Sequence, residues 1–153
     1  MESKLTSYNQ HEVHALYQGL IDAWNNRNAS GMAQLFTNEG EMIGFDGSLL
    51  SGSEEIFAHL THIFEEHPTP PFVCKVKNVR QLNSTTFILR AIAGMKPPGK
   101  SDLDPGLNTH QTLLAVQIDG RFGIELFQNT PAQFHGKPEL VEEMTNELRN
   151  SGE

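Results

Sequence analysis

The sequence predicts an α+β fold, in which N-terminal helices pack against one curled antiparallel sheet. In three stretches of the first 67 residues, on either side of a short hairpin, apolar side chains recur with the 3.6-residue period of amphipathic helices. From Phe72 onward the period changes to two, which is typical of half-buried strands. Because the helices precede the long strands and do not alternate with them, the order favours α+β over α/β.

Three helices are predicted before the long strands. The first has an apolar stripe that ends at Trp24, and the polar run Asn25–Asn28 stops it, because asparagine competes with the helical backbone. A short second helix is expected from Ser30 to Phe36. Residues Ser51–Glu54 have capping-box spacing and open a third helix, which Pro68 ends.

Turn and strand signals organise the rest of the chain. A turn at Thr37–Gly40 precedes a hairpin that is predicted from the Asp46–Gly47 pair. Later strands are expected at residues 72–82, 85–95, 107–118 and 122–129. Pro138 opens a C-terminal helix of about residues 138–150. We expect one domain over residues 1–153, with its core at about 9–130 and an open mouth where the sheet curls around a helix.

Composition excludes several classes of function. The chain has 153 residues, and its 11 basic and 19 acidic residues give a net charge of −8, which disfavours nucleic acid as a partner. No segment reaches the roughly 20 apolar residues of a membrane helix, and the polar N-terminus lacks the apolar core of a signal peptide. The single cysteine, Cys74, fits a reducing compartment, so we expect a cytoplasmic protein.

Cofactor and metal motifs are also missing from the sequence. It contains no glycine-rich dinucleotide fingerprint, no P-loop and no nucleophile elbow. His59 and His62 fall on opposite sides of the third predicted helix, which places them poorly for a shared metal ion. Cys74 lies in a predicted strand and is interpreted as a packing residue. We therefore expect neither a cofactor nor a metal site.

Several short strings carry a family resemblance. They are Asp22–Asn25, Leu35–Thr37, Gly44–Ser48, Phe127–Ala132 and Phe134–Gly136. Together they resemble the bacterial SgcJ/EcaC family, within the nuclear-transport-factor-2-like (SnoaL-like) superfamily of cystatin-like cones. The resemblance covers about residues 9–150. One departure is Phe122, which stands where these chains usually carry tryptophan.

The resemblance implies a homodimeric cone with a pocket for a small molecule. Relatives in the superfamily include isomerases, dehydratases and polyketide cyclases, together with proteins that only bind. Three functions therefore stay open: a cofactor-independent acid–base enzyme acting on a hydrophobic oxygenated metabolite, a non-catalytic binding or accessory dimer, and an oxidoreductase. The last, which the family name suggests, is disfavoured by the missing cofactor motifs.

Two residues are candidate proton-transfer groups. His59 is either a half-buried histidine that bonds a backbone group or a pocket group that titrates near neutrality. Asp46 is either the residue that its turn requires or a general base whose pKa apolar neighbours such as Phe45 raise.

The remaining candidates are predicted to bind the substrate, because they combine a polar group or apolar surface with an inward position. They are Tyr17 and Trp24 on the first helix, Ile63 on the third, and Asn108, His110, Gln128 and Asn129 on the sheet. A further apolar set on the outer strand faces predicts a two-fold, sheet-to-sheet homodimer. Its members are Val73, Val79, Val116 and Ile118.

Overall fold

The computed structural model describes residues 4–151, so the ends of the predicted domain, residues 1–3 and 152–153, lie outside the described residues. The helices are α1 (Lys4–Asn25), α2 (Ala29–Ala33), α3 (Ser53–Glu66) and α4 (Pro138–Ser151). The strands are β1 (Phe36–Ile43), β2 (Leu49–Ser51), β3 (Phe72–Asn83), β4 (Thr86–Met95), β5 (Thr109–Ile118) and β6 (Arg121–Pro131). A short 3₁₀ helix at Pro105–Leu107 precedes β5.

The six strands form one mixed sheet in the order β2-β1-β6-β5-β4-β3. Every pair is antiparallel except β1 and β6, which run parallel, so the prediction of an antiparallel sheet is wrong at that pair. About half of the chain separates β1 from β6, which leaves ample length for a parallel crossover. The predicted turn at Thr37–Gly40 lies inside β1, where the β1–β6 register shifts between Phe36 and Glu41.

The extent of the second predicted helix also needs correction. One long helix of 22 residues stands at the N-terminus, α2 has only five residues, and α3 follows the β1–β2 hairpin. The Asn28 side chain caps α2 by accepting a hydrogen bond from the Gly31 N–H. The helix stops short of the predicted end at Phe36, because that residue is buried in β1 and pairs with Ile124 of β6.

The start of α3 differs from the predicted capping box. Its N-cap is Gly52, which has a φ of 88° and no side chain to cap the helix. The Gly52 N–H instead donates to the Gly40 carbonyl of β1 at 2.7 Å. Glu55, and not Glu54, supplies the carboxylate, which accepts from the Ser51 N–H at 3.0 Å. The positive φ, and not this backbone bond, explains why a glycine precedes the helix.

Helices pack on both faces of the sheet, but they cover the two faces unequally. Helices α1, α2 and α3 pack on one face and form the main core with β4, β5 and β6. Its fully buried members include Tyr17, Leu20, Ile56, Leu60, Phe87 and Leu113. Helix α4 packs on the opposite face against β3 and β4, in a second cluster of Ile92, Leu103, Ala132, Met144 and Leu148.

The outer sheet face carries fewer of the predicted dimer residues than expected. Val73 packs in the α4 cluster, and Val79 packs on the main core because β3 shifts register between Val76 and Asn78. Val116 is half-buried, while Ile118 is 56% exposed at the end of β5.

Candidate functional site

A cavity of about 310 Å³ lies between α3, the β1–β2 hairpin and the core face of β5 and β6. Most of its wall is apolar, and the main contributors are Trp24, Met42, Leu60, Ile63, Phe72 and Phe127. The most exposed lining residues, Phe45, Asp46 and Ser48, belong to the hairpin and mark the mouth. An apolar cavity with few polar groups is the usual form of a small-molecule site.

His59 is the polar side chain that α3 places in this wall. It lies one residue before the fully buried Leu60 and is itself half-buried. Within residues 4–151 its imidazole makes no hydrogen bond, so the predicted bond to a backbone group is absent there. Both ring nitrogens are therefore available to a molecule in the cavity.

Contacts at both ends of α3 hold His59 in place. At the N-terminal end, the bond between Glu55 and the Ser51 backbone ties the helix to β2. At the C-terminal end, the Arg27 guanidinium donates to the carbonyls of Phe64 and His67, which are among the acceptors that a helix end leaves unpaired. Arg27 also stands over the Phe64 ring, 5.3 Å from its centroid.

Asp46 lies at the mouth and is exposed. The Ser48 N–H donates to its Oδ1 at 2.9 Å, and this bond lowers the pKa of Asp46, with a smaller contribution from the nearby His59. The prediction that apolar neighbours raise this pKa is therefore wrong. A carboxylate with a lowered pKa is a weak base, and its described contact is the one that the turn requires.

Trp24 and Ile63 line the cavity as apolar wall. The Trp24 indole N–H is already used, because it donates to the Pro70 carbonyl at 3.1 Å. The indole also packs against the rings of Phe64 and Phe72, with centroids 5.3 and 5.1 Å away. Trp24 therefore shapes the cavity wall but offers a ligand no free hydrogen-bond donor.

Asn129 brings an amide to the cavity wall from β6, and two buried residues support it. The Tyr17 hydroxyl donates to Gln111 Oε1 at 2.5 Å, and Gln111 Nε2 donates to Asn129 Oδ1 at 3.1 Å. Tyr17 and Gln111 are both fully buried, and burial raises the pKa of Tyr17. Tyr17 is thus a buried neighbour of the site and does not line the cavity.

Gln111 is a site residue that sequence reasoning missed. It alternates with Thr109 and Leu113 on the core face of β5, where a glutamine needs a partner. A single amide side chain among the mainly apolar residues of a strand face was therefore the sequence signal that could have identified Gln111 as a site residue.

Three sheet candidates do not reach the cavity. Asn108 is fully buried, and its Nδ2 donates to Thr145 Oγ1 of α4 at 2.8 Å. His110 follows it on the α4 side of the sheet, with its ring edge-on to Phe134 at 6.0 Å. Because Thr109 and the alternate residues of β5 face the core, these two point away from it.

Gln128 is the third sheet candidate that does not reach the cavity, and a β-bulge explains its position. Ala115 pairs with Ile124 but Leu114 pairs with Leu126, so one extra residue, Glu125, enters β6. The bulge lets both Ile124 and Phe127 face the core and reverses the faces of the residues that follow. Gln128 consequently points outward and bonds Thr130 Oγ1, while the next residue, Asn129, lines the cavity.

Residues 4–151 carry no clustered metal ligands and no membrane-spanning helix. This part of the chain holds no group of three or more His, Cys, Asp or Glu side chains that could hold a metal ion. None of its helices is both long enough and apolar enough to cross a bilayer.

His110 should make the protein sensitive to acid. Burial lowers the pKa of His110, and the positive charge of Arg90 lowers it further. Other charged residues line the same groove: Lys77, Glu143 and Glu147. As the pH falls below about 6.5, His110 takes up a proton more readily in the unfolded chain than in the folded one. The free energy of unfolding is undiminished above that pH and therefore decreases below it.

We expect the melting temperature to fall between pH 7.5 and 5.5, and His110→Gln to reduce that fall by about 2 °C or more. His135→Gln, at an exposed position, is the control. Equal pH dependence of the two variants would contradict this assignment.

Solved structures of similar shape define the class of fold. A cystatin-like domain of unknown function from Nostoc punctiforme has a TM-score of 0.78 at 21% identity, over 93% of this chain and 86% of that one. An NTF-2-like protein of unknown function from Shewanella oneidensis scores 0.62 at 18%, over 78% and 97%. A ketosteroid isomerase-like protein from Erwinia carotovora scores 0.66 at 13%, over 80% and 95%. Identities this low show the fold alone.

The protein therefore has the cystatin-like, or NTF2-like, α+β fold. Within that class, the sequence model of the SnoaL-like domain matches residues 13–127, which is most of the chain. The chain belongs to the SnoaL-like domain family. No curated protein sequence matches it.

Proposed function

We propose that the protein binds a small, mainly apolar molecule that carries an oxygen atom and that His59 transfers a proton on it without a cofactor. The observation that carries the proposal is the half-buried His59 imidazole, which lines an apolar cavity and has no hydrogen-bond partner within residues 4–151. Histidine is the side chain most often used as a general base near neutral pH.

The chemistry would be proton transfer next to an oxygen-bearing carbon. A neutral ring nitrogen of His59 takes a proton from the carbon adjacent to the oxygen-bearing carbon. The electron pair of the broken C–H bond forms a double bond between these two carbons, and the π pair of the carbon–oxygen double bond moves onto the oxygen. The Asn129 amide contacts the oxygen, and the imidazolium then returns a proton to the same or a neighbouring carbon. Isomerisation, dehydration and cyclisation share this first step.

Two likenesses support the proposal. The Erwinia protein of similar fold is described as ketosteroid isomerase-like, and ketosteroid isomerase itself uses a general base beside an oxyanion hole. The Gly44–Ser48 and Phe127–Ala132 strings resemble the SgcJ/EcaC family, and we propose membership of that family within the SnoaL-like domains.

Hydrogen–deuterium exchange on a bound ketone tests the proposed function. The probe is the bicyclic ketone β-decalone, incubated with the protein in deuterated buffer and followed by proton NMR. Enzyme-dependent loss of the signals next to the carbonyl is expected. Binding that shifts cavity resonances with no gain in exchange over buffer would instead support the non-catalytic alternative.

That alternative, a binding or accessory role, is favoured by the environment of Asp46. Ser48 stabilises this residue as a carboxylate, which leaves His59 as the one candidate for proton transfer among the described lining residues. Native mass spectrometry of the protein purified from its host would identify a carried ligand. A tightly held adduct that survives turnover conditions unchanged would favour this second role.

We also propose a two-fold homodimer through the outer face of β4, β5 and β6. Ile88, Leu114 and Leu126 lie side by side across these strands, and each is half-buried on the face that α4 leaves open. A contiguous apolar row on an open sheet face is typical of a contact surface.

We expect Leu114→Glu to convert a dimer into a monomer in sedimentation equilibrium at micromolar concentration. Leu82→Glu, at an exposed position near the β3–β4 turn, is the matched control and should remain dimeric. A monomeric wild-type protein would exclude the dimer.

A further inference from the structure

Asn129 has an amide whose two ends differ in chemistry, and the end that faces the cavity decides which ligands fit. The NH₂ group would donate to a carbonyl oxygen, whereas the oxygen would repel it. Oδ1 of Asn129 is occupied by Gln111, and its Nδ2 has no partner within residues 4–151. The Asn129 orientation therefore depends on that of Gln111, and the Gln111 orientation depends on Tyr17.

Building on the proposed function, we propose that Tyr17 and Gln111 are positioning residues that hold the Asn129 NH₂ group towards the cavity. The substrate class is then carbonyl compounds, whose oxygen accepts a hydrogen bond from Asn129 Nδ2. Neither Tyr17 nor Gln111 touches the substrate, because both are fully buried behind the wall.

The chain of hydrogen bonds has two possible directions. In the first, Tyr17 donates to Gln111 Oε1, Gln111 donates to Asn129 Oδ1, and the Asn129 NH₂ faces the cavity. In the second, every bond is reversed, and Asn129 turns its oxygen inward. The reversed chain forces the Tyr17 hydroxyl to donate elsewhere, since its oxygen then accepts from Gln111.

Cys74 makes the reversed chain unfavourable. Its thiol packs in the same core cluster as Tyr17 and is electrostatically coupled to the hydroxyl of that residue. Sulfur is a weak acceptor, so a hydroxyl proton aimed at it loses most of a buried hydrogen bond. In the first direction, by contrast, the strong phenol donor meets an amide oxygen and needs no bond to the thiol.

The protonation of both neighbours also agrees with the first direction. Burial raises the pKa of both Tyr17 and Cys74, so both groups keep their protons near neutral pH.

The direction of the chain is measured by NMR on the free protein, which requires no ligand. With the Gln111 and Asn129 amides assigned, we expect nuclear Overhauser contacts from the Gln111 NH₂ protons to Asn129 and none to the Tyr17 ring. Strong contacts between the Gln111 NH₂ protons and the Tyr17 ring would overturn the proposal.

The matched variants are Cys74→Ser and Cys74→Ala. A serine hydroxyl is a good acceptor, so Cys74→Ser should add a second set of Gln111 signals from the reversed chain, whereas Cys74→Ala should keep one set. Identical spectra for the two variants would overturn the role of Cys74. A merely structural role for this residue would not separate serine from alanine in this way.

The affinities of β-decalone and β-decalol give the functional readout. The alcohol can accept or donate at Asn129 and serves as the internal reference. If the two chain directions become equally populated in Cys74→Ser, the ketone dissociation constant rises about twofold relative to that of the alcohol, while Cys74→Ala keeps the wild-type ratio. If the ratio of the ketone and alcohol dissociation constants is the same in both variants, the proposed selection of carbonyl compounds is overturned. If neither probe binds, the proposed function fails, and the NMR contacts still decide the direction of the chain.

Discussion

Replacing His59 with glutamine should lower the rate of deuterium exchange on bound β-decalone by about 100-fold or more. Glutamine keeps a polar side chain of similar length at this position but cannot accept a proton from carbon. Removal of a positioned general base typically costs 100-fold or more in rate. Because the His59 ring makes no hydrogen bond within residues 4–151, its loss leaves no buried partner unpaired there. The variant should therefore fold normally.

The matched control is His62→Gln on the same helix. His62 is exposed and does not line the cavity, so the same change three residues away should leave the exchange rate within about twofold of the wild type. Ketone affinity, measured by NMR titration, should be similar in both variants. An exchange rate in His59→Gln that matches His62→Gln would remove His59 as the base and leave the cavity as a binding site.

Local patterns were sufficient to predict most elements of this fold. The stripe that contains Val13, Tyr17 and Leu20 predicted the part of α1 that packs on the sheet, and all three residues are buried. The Asp46–Gly47 pair predicted the hairpin between β1 and β2. These signals are reliable because each depends on backbone geometry within a few residues.

The faces of the strands were harder to predict, because one bulge changes all that follow. A strict period of two from Phe122 predicts that Gln128 lies on the same strand face as Ile124. Because of the bulge at Glu125, Asn129 lies on that face instead. Ile124 and Phe127 are three residues apart and both buried, a spacing that an unbroken strand does not allow. That burial is known only from the structure, because the regular alternation of Phe122, Ile124 and Leu126 hides the bulge in the sequence.

Contacts between distant segments could not be predicted from one sequence. Tyr17 and Gln111 are 94 residues apart, and Asn108 meets Thr145 only because α4 packs on the outer face of the sheet. The polar residues of β5 therefore divide between the cavity side and the α4 side for reasons that lie outside the strand.

The irregular start of β1, which the sequence predicted as a turn, leads to the largest expected effect on stability. A Cβ atom at Gly40 would lie 2.5 Å from the Ile124 carbonyl oxygen and 3.2 Å from the backbone nitrogen and oxygen of Thr37. These are backbone atoms, so no side-chain rotation relieves the overlap. We expect Gly40→Ala to lower the free energy of unfolding by about 3 kcal/mol, measured as a lower urea midpoint at an unchanged m-value.

Gly44→Ala tests whether the overlap, and not the loss of a glycine in this segment, is the cause. A Cβ at Gly44 would find its nearest neighbour, Asp46 Oδ1, at 3.7 Å, which is an ordinary contact. This control should stay within about 0.5 kcal/mol of the wild type. Equal midpoints for the two variants would contradict the steric account. Because Met42 and Ile43 of the same strand line the cavity, a β1 displaced by Gly40→Ala should also weaken the binding of β-decalone.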